Sequence, residues 1–255
     1  MKTKTRIETD KAAASHGFRS NAMVAGGFVF TAGHIGAPLA PPGGRADPAP
    51  TLDEQVDWCL RHMEQLALAG GGTLDGFVEV SAFLVPEALK ACDAVRQRIS
   101  GFLGYTPPLV HIQPIQDVAA HAMLEIDGVA VVNQSRSLDE AASILRPFGQ
   151  GQGLVRSGPF IFFYGMYAAV ASLGEQTRNL LNESSIQLQE EGIALAQLVK
   201  LSVYNAEYHD YPQFNDETKR QFAAFDPPAR SVLVAPQVTG DALLRIDMIA
   251  LAGEA

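Results

Sequence analysis

The sequence predicts an α+β protein built from two tandem ββαβαββ units, each a mixed sheet with two helices on one face. Three observations carry this. The chain repeats itself at a nearly constant offset. Strand-like and helix-like runs follow one another in the same order in both copies. Each copy also has more apolar strand surface than two helices can cover.

The repeat sets the boundaries. Gly26-Gly27-Phe28-Val29-Phe30-Thr31-Ala32-Gly33 parallels Gly158-Pro159-Phe160-Ile161-Phe162-Phe163-Tyr164-Gly165 at an offset of 132. Glu54-Gln55 parallels Glu175-Gln176, and Val78-Glu79-Val80-Ser81 parallels Val199-Lys200-Leu201-Ser202, both at 121. Leu124-Glu125-Ile126-Asp127 parallels Leu244-Arg245-Ile246-Asp247 at 120. The offset falls by 11 where the first copy carries the Pro/Gly-rich run Ala37 to Arg45, which reads as an inserted surface loop. The units are therefore 1–134 and 148–255, with a surface linker near 133–148.

Each unit opens with a hairpin-like pair, 22–32 and 153–164. A helix follows. In the first copy Thr51-Leu52-Asp53-Glu54 is a capping-box pattern, and Val56, Cys59, Leu60, Met63, Leu66 and Ala67 then recur at helical spacing. Gly70-Gly71-Gly72 stops that helix; its counterpart runs over 173–191 and stops at Gly192. Next come a strand (76–85; 197–206) and a second helix (87–102; 211–224). Two strands close each unit (109–114 and 122–132; 231–235 and 242–252). Phe28, Phe30, Phe160 and Phe162 alternate onto one sheet face, which predicts sheet-to-sheet association between units. Gly149 to Gly153 opens a strand rather than a helix and reads as a flexible start to the second unit.

A chain of 255 residues with 47% hydrophobic and 18% charged residues is not a disordered one. Its net charge of −9 repels phosphate backbones, and Lys2, Lys4 and Arg6 are too thin a cluster to reverse that. Neither nucleic acid nor an anionic membrane surface is an expected partner. Cys59 and Cys92 lack metal-ligand spacing and read as reduced, helix-borne core residues. No secretory leader and no apolar run of spanning length are present, so a cytoplasmic location is expected. His34 and His111 could line one pocket, without a third ligand for a metal; His62 and His121 read as exposed. Nucleotide-binding, zinc-protease and nucleophile-elbow motifs are absent, and no cofactor is expected.

The sharpest local signal is Phe225-Asp226-Pro227-Pro228-Ala229-Arg230-Ser231-Val232-Leu233-Val234. Two prolines stiffen the approach to an apolar strand that begins with an arginine. A guanidinium there suits bidentate carboxylate binding; the plain alternative is a surface salt bridge.

With the ββαβαββ order, Pro228-Ala229-Arg230-Ser231 resembles the RidA/YjgF family of reactive-intermediate deaminases, also called L-PSP endoribonuclease-like. The resemblance covers Gly149 to Ala252; the first unit matches the fold pattern but not the arginine. It implies a chorismate-mutase-like/RidA fold and a barrel-forming trimer with ligands in clefts between neighbouring units. It also implies a small carboxylate-bearing imine or enamine that water deaminates. Carried over by position, Arg230 holds the carboxylate, Gly165 lines the pocket with its backbone, and Asn215 reaches across the cleft. Tyr164 stands where the family has serine, and Ser231 follows the arginine. Arg245 occupies the position of the water-orienting glutamate and cannot accept a proton. Either the ligand carries a second acidic group for Arg245, or Asp247 neutralises it. The first unit departs the other way: Leu109 replaces the arginine, Glu125 keeps the glutamate position, Gly33 keeps the glycine, and Asp93 stands near the asparagine position. Arg230, Asn215 and Glu125 are the candidate catalytic residues, and no metal is expected. Chorismatases look like distant relatives on the same fold, so the resemblance does not fix the reaction. The rival function is a regulatory binder of a small anionic metabolite.

Overall fold

The computed structural model describes residues 3–14, 17–41, 44, 46–146, 153–167, 172–206, 211–235 and 242–252. The first unit contains β1 (Thr5–Ile7), β2 (Ala22–Ala25), β3 (Phe28–Thr31), β4 (His34–Ile35), α1 (Leu52–Ala69), β5 (Gly72–Leu84), α2 (Cys92–Leu103), β6 (Leu109–Pro114) and β7 (Leu124–Val132). After α3 (Leu138–Leu145), the second unit contains β8 (Gly153–Ser157), β9 (Phe160–Tyr167), α4 (Leu173–Glu190), β10 (Leu198–Asn205), α5 (Tyr211–Gln221), β11 (Ala229–Val234) and β12 (Leu244–Leu251).

Both units have the same sheet. The strand order is β2-β3-β7-β5-β6 in the first and β8-β9-β12-β10-β11 in the second. β5 and β6 pair in parallel, as do β10 and β11; the other pairs are antiparallel. The first sheet is longer by β1, on β2, and by β4, on β7. The capping box of α1 forms, with Thr51 Oγ1 accepting from the Glu54 amide and Glu54 reaching back to the Thr51 amide.

One face of each sheet packs on its own helices. Val56, Leu60 and Met63 of α1 join Val80, Ala82 and Ile126; Leu180, Leu181 and Leu188 of α4 join Leu201, Val203 and Ile246. The other two faces pack on each other. Phe28, Phe30, Phe160, Phe162, Val129 and Ile249 share one core, with the Phe160 ring edge-on to Phe30 at 5.2 Å and to Phe28 at 5.6 Å. The apolar faces that called for an assembly are thus covered within a single chain. Beside this aromatic layer lies a polar one. The Lys200 ammonium, 3% exposed, donates to Asp127 Oδ2 at 2.7 Å, to the Thr31 carbonyl at 2.6 Å and to Ser231 Oγ at 3.2 Å.

Several sequence expectations need correction. The linker is not confined to the surface: α3 buries Ala141, Ala142 and Leu145 in the inter-sheet core, and Ser137 caps its first turn. His62 is buried, accepting from the Ala13 amide and bonding to the Ala37 carbonyl, because its place on α1 faces the N-terminal segment and the inserted loop. Cys92 opens α2 and is half-buried, whereas Cys59 lies in the core; both are free thiols. Of the glycine-rich run before the second unit, 149–152 lies outside the described residues. No helix among the described residues is long and apolar enough to cross a membrane.

Candidate functional site

The two prolines ahead of β11 deliver Arg230 to the outer strand of the second sheet, next to β10. An outer strand leaves alternate backbone groups unpaired, and here the first unit takes them up. The Ser20 amide donates to the Pro228 carbonyl, and the Gly33 amide to the Arg230 carbonyl at 3.2 Å. The Val232 amide donates to the Glu125 carboxylate. The Val234 amide donates to the Asp117 carbonyl, and the Gln116 amide to the Val234 carbonyl at 2.7 Å. The second sheet's edge is therefore sealed, residue by residue, by the first unit.

That seal brings Arg230 and Glu125 together from different units. The Arg230 side chain turns toward α5, whose Tyr211, Phe214 and Asn215 share a face at helical spacing. Its Nη2 donates to Tyr211 Oη and to Asn215 Oδ1, each at 2.8 Å, and the guanidinium lies 5.1 Å from the Phe214 ring centroid. Gly17 covers it: a Cβ there would sit 3.0 Å from Arg230 Nη2. Arg230 is 1% exposed, and its Nε and Nη1 have no hydrogen-bond partner among the described residues. Burial pulls its pKa down to about 10, which leaves it cationic at neutral pH.

Glu125 projects from β7, beside β4, where Ile35 is its register partner. A Cβ on Gly33 would overlap its carboxylate, so only glycine fits there. Burial pushes the Glu125 pKa up to about 7, against the pull of Arg19, and Asp127 adds to the rise. Its Oε1 is buried without a hydrogen-bond partner. Two unused donors and one unused acceptor thus lie at a closed interface. Unmet polar groups of that kind are costly unless a ligand or water satisfies them.

The other sequence candidates fall elsewhere. Gly165 and Tyr164 lie on β9, three strand positions from β11, or about 14 Å. The Gly165 amide donates to Asp247 at 2.7 Å, and Tyr164 stacks on Phe162 in the inter-sheet core. Ser231 points to the opposite face from Arg230 and binds Asp127 and Lys200. Arg245 forms a two-bond ion pair with Asp247, at 3.2 and 2.8 Å, over the Tyr204 ring. Asp247, rather than a second acid on a ligand, neutralises it. His111, on β6, and His34, on β4, stand three strands apart, and Asp93 is exposed. Among the described residues no group of three or more His, Cys, Asp or Glu could hold a metal ion.

The sequence reading missed three contributors. Tyr211 lies one helical turn before Asn215, a spacing that could have found it. The Val232 amide carries no side-chain signal. Arg19, whose Nη1 donates to the carbonyls of Gly33 at 2.9 Å and Arg230 at 2.7 Å, sits in an N-terminal segment without periodicity.

Residues 151–252 match the family model described as Endoribonuclease L-PSP. A RutC family protein of Pyrococcus horikoshii is 26% identical over 113 residues, 41% of this chain and 89% of that protein. A RutC family protein of Pyrococcus abyssi is 26% identical over 113 residues, 41% of this chain and 88% of that one. Among solved structures, yeast Mmf1 is 21% identical, covering 51% of this chain and 100% of its own, with a TM-score of 0.45. The YjgF gene product of Escherichia coli is 19% identical, covering 50% and 98%, with a TM-score of 0.44. The second unit, residues 151–252, is thus similar to the Endoribonuclease L-PSP family and to RutC family proteins.

Proposed function

We propose that this chain is a small-molecule hydrolase that deaminates a carboxylate-bearing imine or enamine at one site built by both units. The observation that supports this is the meeting of Arg230 and Glu125 at the sealed edge of β11. The first unit has Leu109 at the arginine position and the second has Arg245 at the glutamate position, so neither holds both groups. Together they hold one complete pair.

In this reading the substrate carboxylate takes Nε and Nη1 of Arg230, while Tyr211 and Asn215 hold Nη2 in place. Water attacks the imine carbon and passes a proton to Glu125. A carbon–oxygen bond forms as the carbon–nitrogen π pair moves to nitrogen. Glu125 returns that proton to nitrogen, giving a carbinolamine, then takes the carbinolamine's hydroxyl proton and passes it to the same nitrogen, so the carbon–nitrogen bond breaks, ammonia leaves and the carbonyl forms. A carboxyl group with a pKa near 7 suits both transfers. No cofactor enters the scheme. The reading extends to a cytoplasmic setting, supported by two free thiols, and to a homo-oligomer, a trimer included, formed through surfaces outside the inter-unit core.

The test is ammonia release from freshly generated 2-iminopropanoate. Acceleration that Arg230→Ala and Glu125→Gln each reduce by about 100-fold or more supports the reading. Saturable binding of carboxylates with no ammonia release would replace it with the regulatory binder.

A further inference from the structure

We infer that the outer edge of β8 docks a second copy of this chain, the two β8 strands pairing antiparallel about a two-fold axis at Val155. The inference gives the proposed homo-oligomer its contact surface and is independent of the carboxylate chemistry.

The two sheets end differently. In the first unit β1 pairs antiparallel with β2, with Thr5 opposite Val24, Arg6 opposite Met23 and Ile7 opposite Ala22. At the repeat offset of 132, β8 has Leu154, Val155 and Arg156 in the places of Ala22, Met23 and Val24. β8 pairs with β9 on one side, and no strand among the described residues takes its other side. Ala22 and Met23 are fully buried, whereas Leu154 is 40% and Val155 37% exposed. Leu154 is the register partner of Phe163, in the helix-side core, and Val155 of Phe162, in the inter-sheet core. Both cores therefore run out to solvent at this edge, and an added strand would extend both.

Open edges are commonly guarded by proline, lysine or a bulge. Gly153-Leu154-Val155-Arg156-Ser157 contains neither proline nor lysine, and its five register pairs with β9 run without a shift. Its one charged residue, Arg156, is held by Glu191, at the end of α4, at 3.2 Å. The edge fits its own copy. Two identical edges pair antiparallel about a two-fold axis, the direction that β1 takes on β2. With the axis at Val155, that residue meets its own copy, and Leu154 lies opposite the partner's Arg156. Arg156 then never faces itself. The strand carries no acid, so two chains of net charge −9 meet here without opposed carboxylates.

A five-residue strand buries little area, so the dimer is weak, and sedimentation equilibrium over about 1 μM to 1 mM tests it. The average mass should rise from 27.3 kDa towards twice that value. Val155→Lys and Val155→Glu each set like charges directly opposite one another, and each should remain a monomer. An equal mixture of the two variants sets opposite charges face to face and should restore the dimer. A monomer at every concentration of the unmodified protein overturns the inference, as does an oligomer that persists in both variants. Loss in both variants without recovery in the mixture overturns the pairing of Val155 with its own copy. A monomer that still releases ammonia from 2-iminopropanoate overturns the dimer and leaves the proposed carboxylate site standing.

Discussion

Lys200 of the second unit holds its ammonium 2.7 Å from the Asp127 carboxylate of the first, in the middle of the interface between the two sheets. Both groups are almost fully buried, so each depends on the other for its solvation. Lys200→Met should cost about 3–5 kcal/mol, because it strands a buried carboxylate. Lys200→Met combined with Asp127→Leu should recover most of that loss. Urea denaturation followed by circular dichroism checks both, and additive losses would disprove the coupling.

Glu125 and Glu79 predict an unusual pH dependence. Burial raises their folded-state pKa values to about 7 and about 8, from 4.5. The folded state therefore keeps these protons while the unfolded chain releases them. Stability from these two groups falls as pH rises from about 4.5 through 7 and 8. Glu125→Gln should flatten its share, with a relative gain on the order of 1–3 kcal/mol at pH 8. Denaturation midpoints at pH 5 and pH 8 provide the comparison.

Two arginines of the second unit, Arg230 and Arg245, should behave differently. Arg230→Ala should weaken pyruvate binding by more than about tenfold, and Arg230→Lys should restore only part of it. Arg245→Ala should change that affinity by less than about twofold, but it should lower stability by about 1–3 kcal/mol by stranding Asp247. Oxaloacetate should bind no more tightly than pyruvate. A dicarboxylate preference lost in Arg245→Ala would place Arg245 in the site after all.

Gly26 ties the first hairpin to the second unit. Its φ is +56°, and a Cβ would meet the Phe160 ring at 2.8 Å and Pro159 Cγ at 2.9 Å. Gly26→Ala should therefore cost about 1–3 kcal/mol, from strain at positive φ and from crowding. Thermal denaturation measures it.

The repeat offset made both sheets legible, because alternation and glycine stops survive in each copy. β1, β4 and α3 were not legible. Thr5–Ile7 and His34–Ile35 are too short to show a period, and they become strands only by pairing with β2 and β7. The serine cap of α3 was visible, but its docking into the inter-sheet core depends on the tertiary fold. At the site, Arg230 and Asn215 could be picked out from local pattern alone. Which glycine lies against the arginine could not: repeat logic pointed to Gly165 in the same unit, whereas Gly17 covers the guanidinium and Gly33 donates to the Arg230 carbonyl, both from the other unit. Contacts made across a sheet edge leave no local trace.

The charge swap at one repeated position bears on how the chain is made. Glu79 and Lys200 are equivalent in the two copies, and Lys200 faces Asp127 across the interface. A first unit emerging from the ribosome exposes Phe28 and Phe30 before the second unit exists. If it met the first unit of a neighbouring nascent chain in the same geometry, Glu79 would stand where Lys200 belongs, against Asp127. Two buried carboxylates would then replace an ion pair, a costly mismatch during polysome synthesis. The swap thus steers each nascent first half away from its own kind and keeps its sheet free for the second half of the same polypeptide.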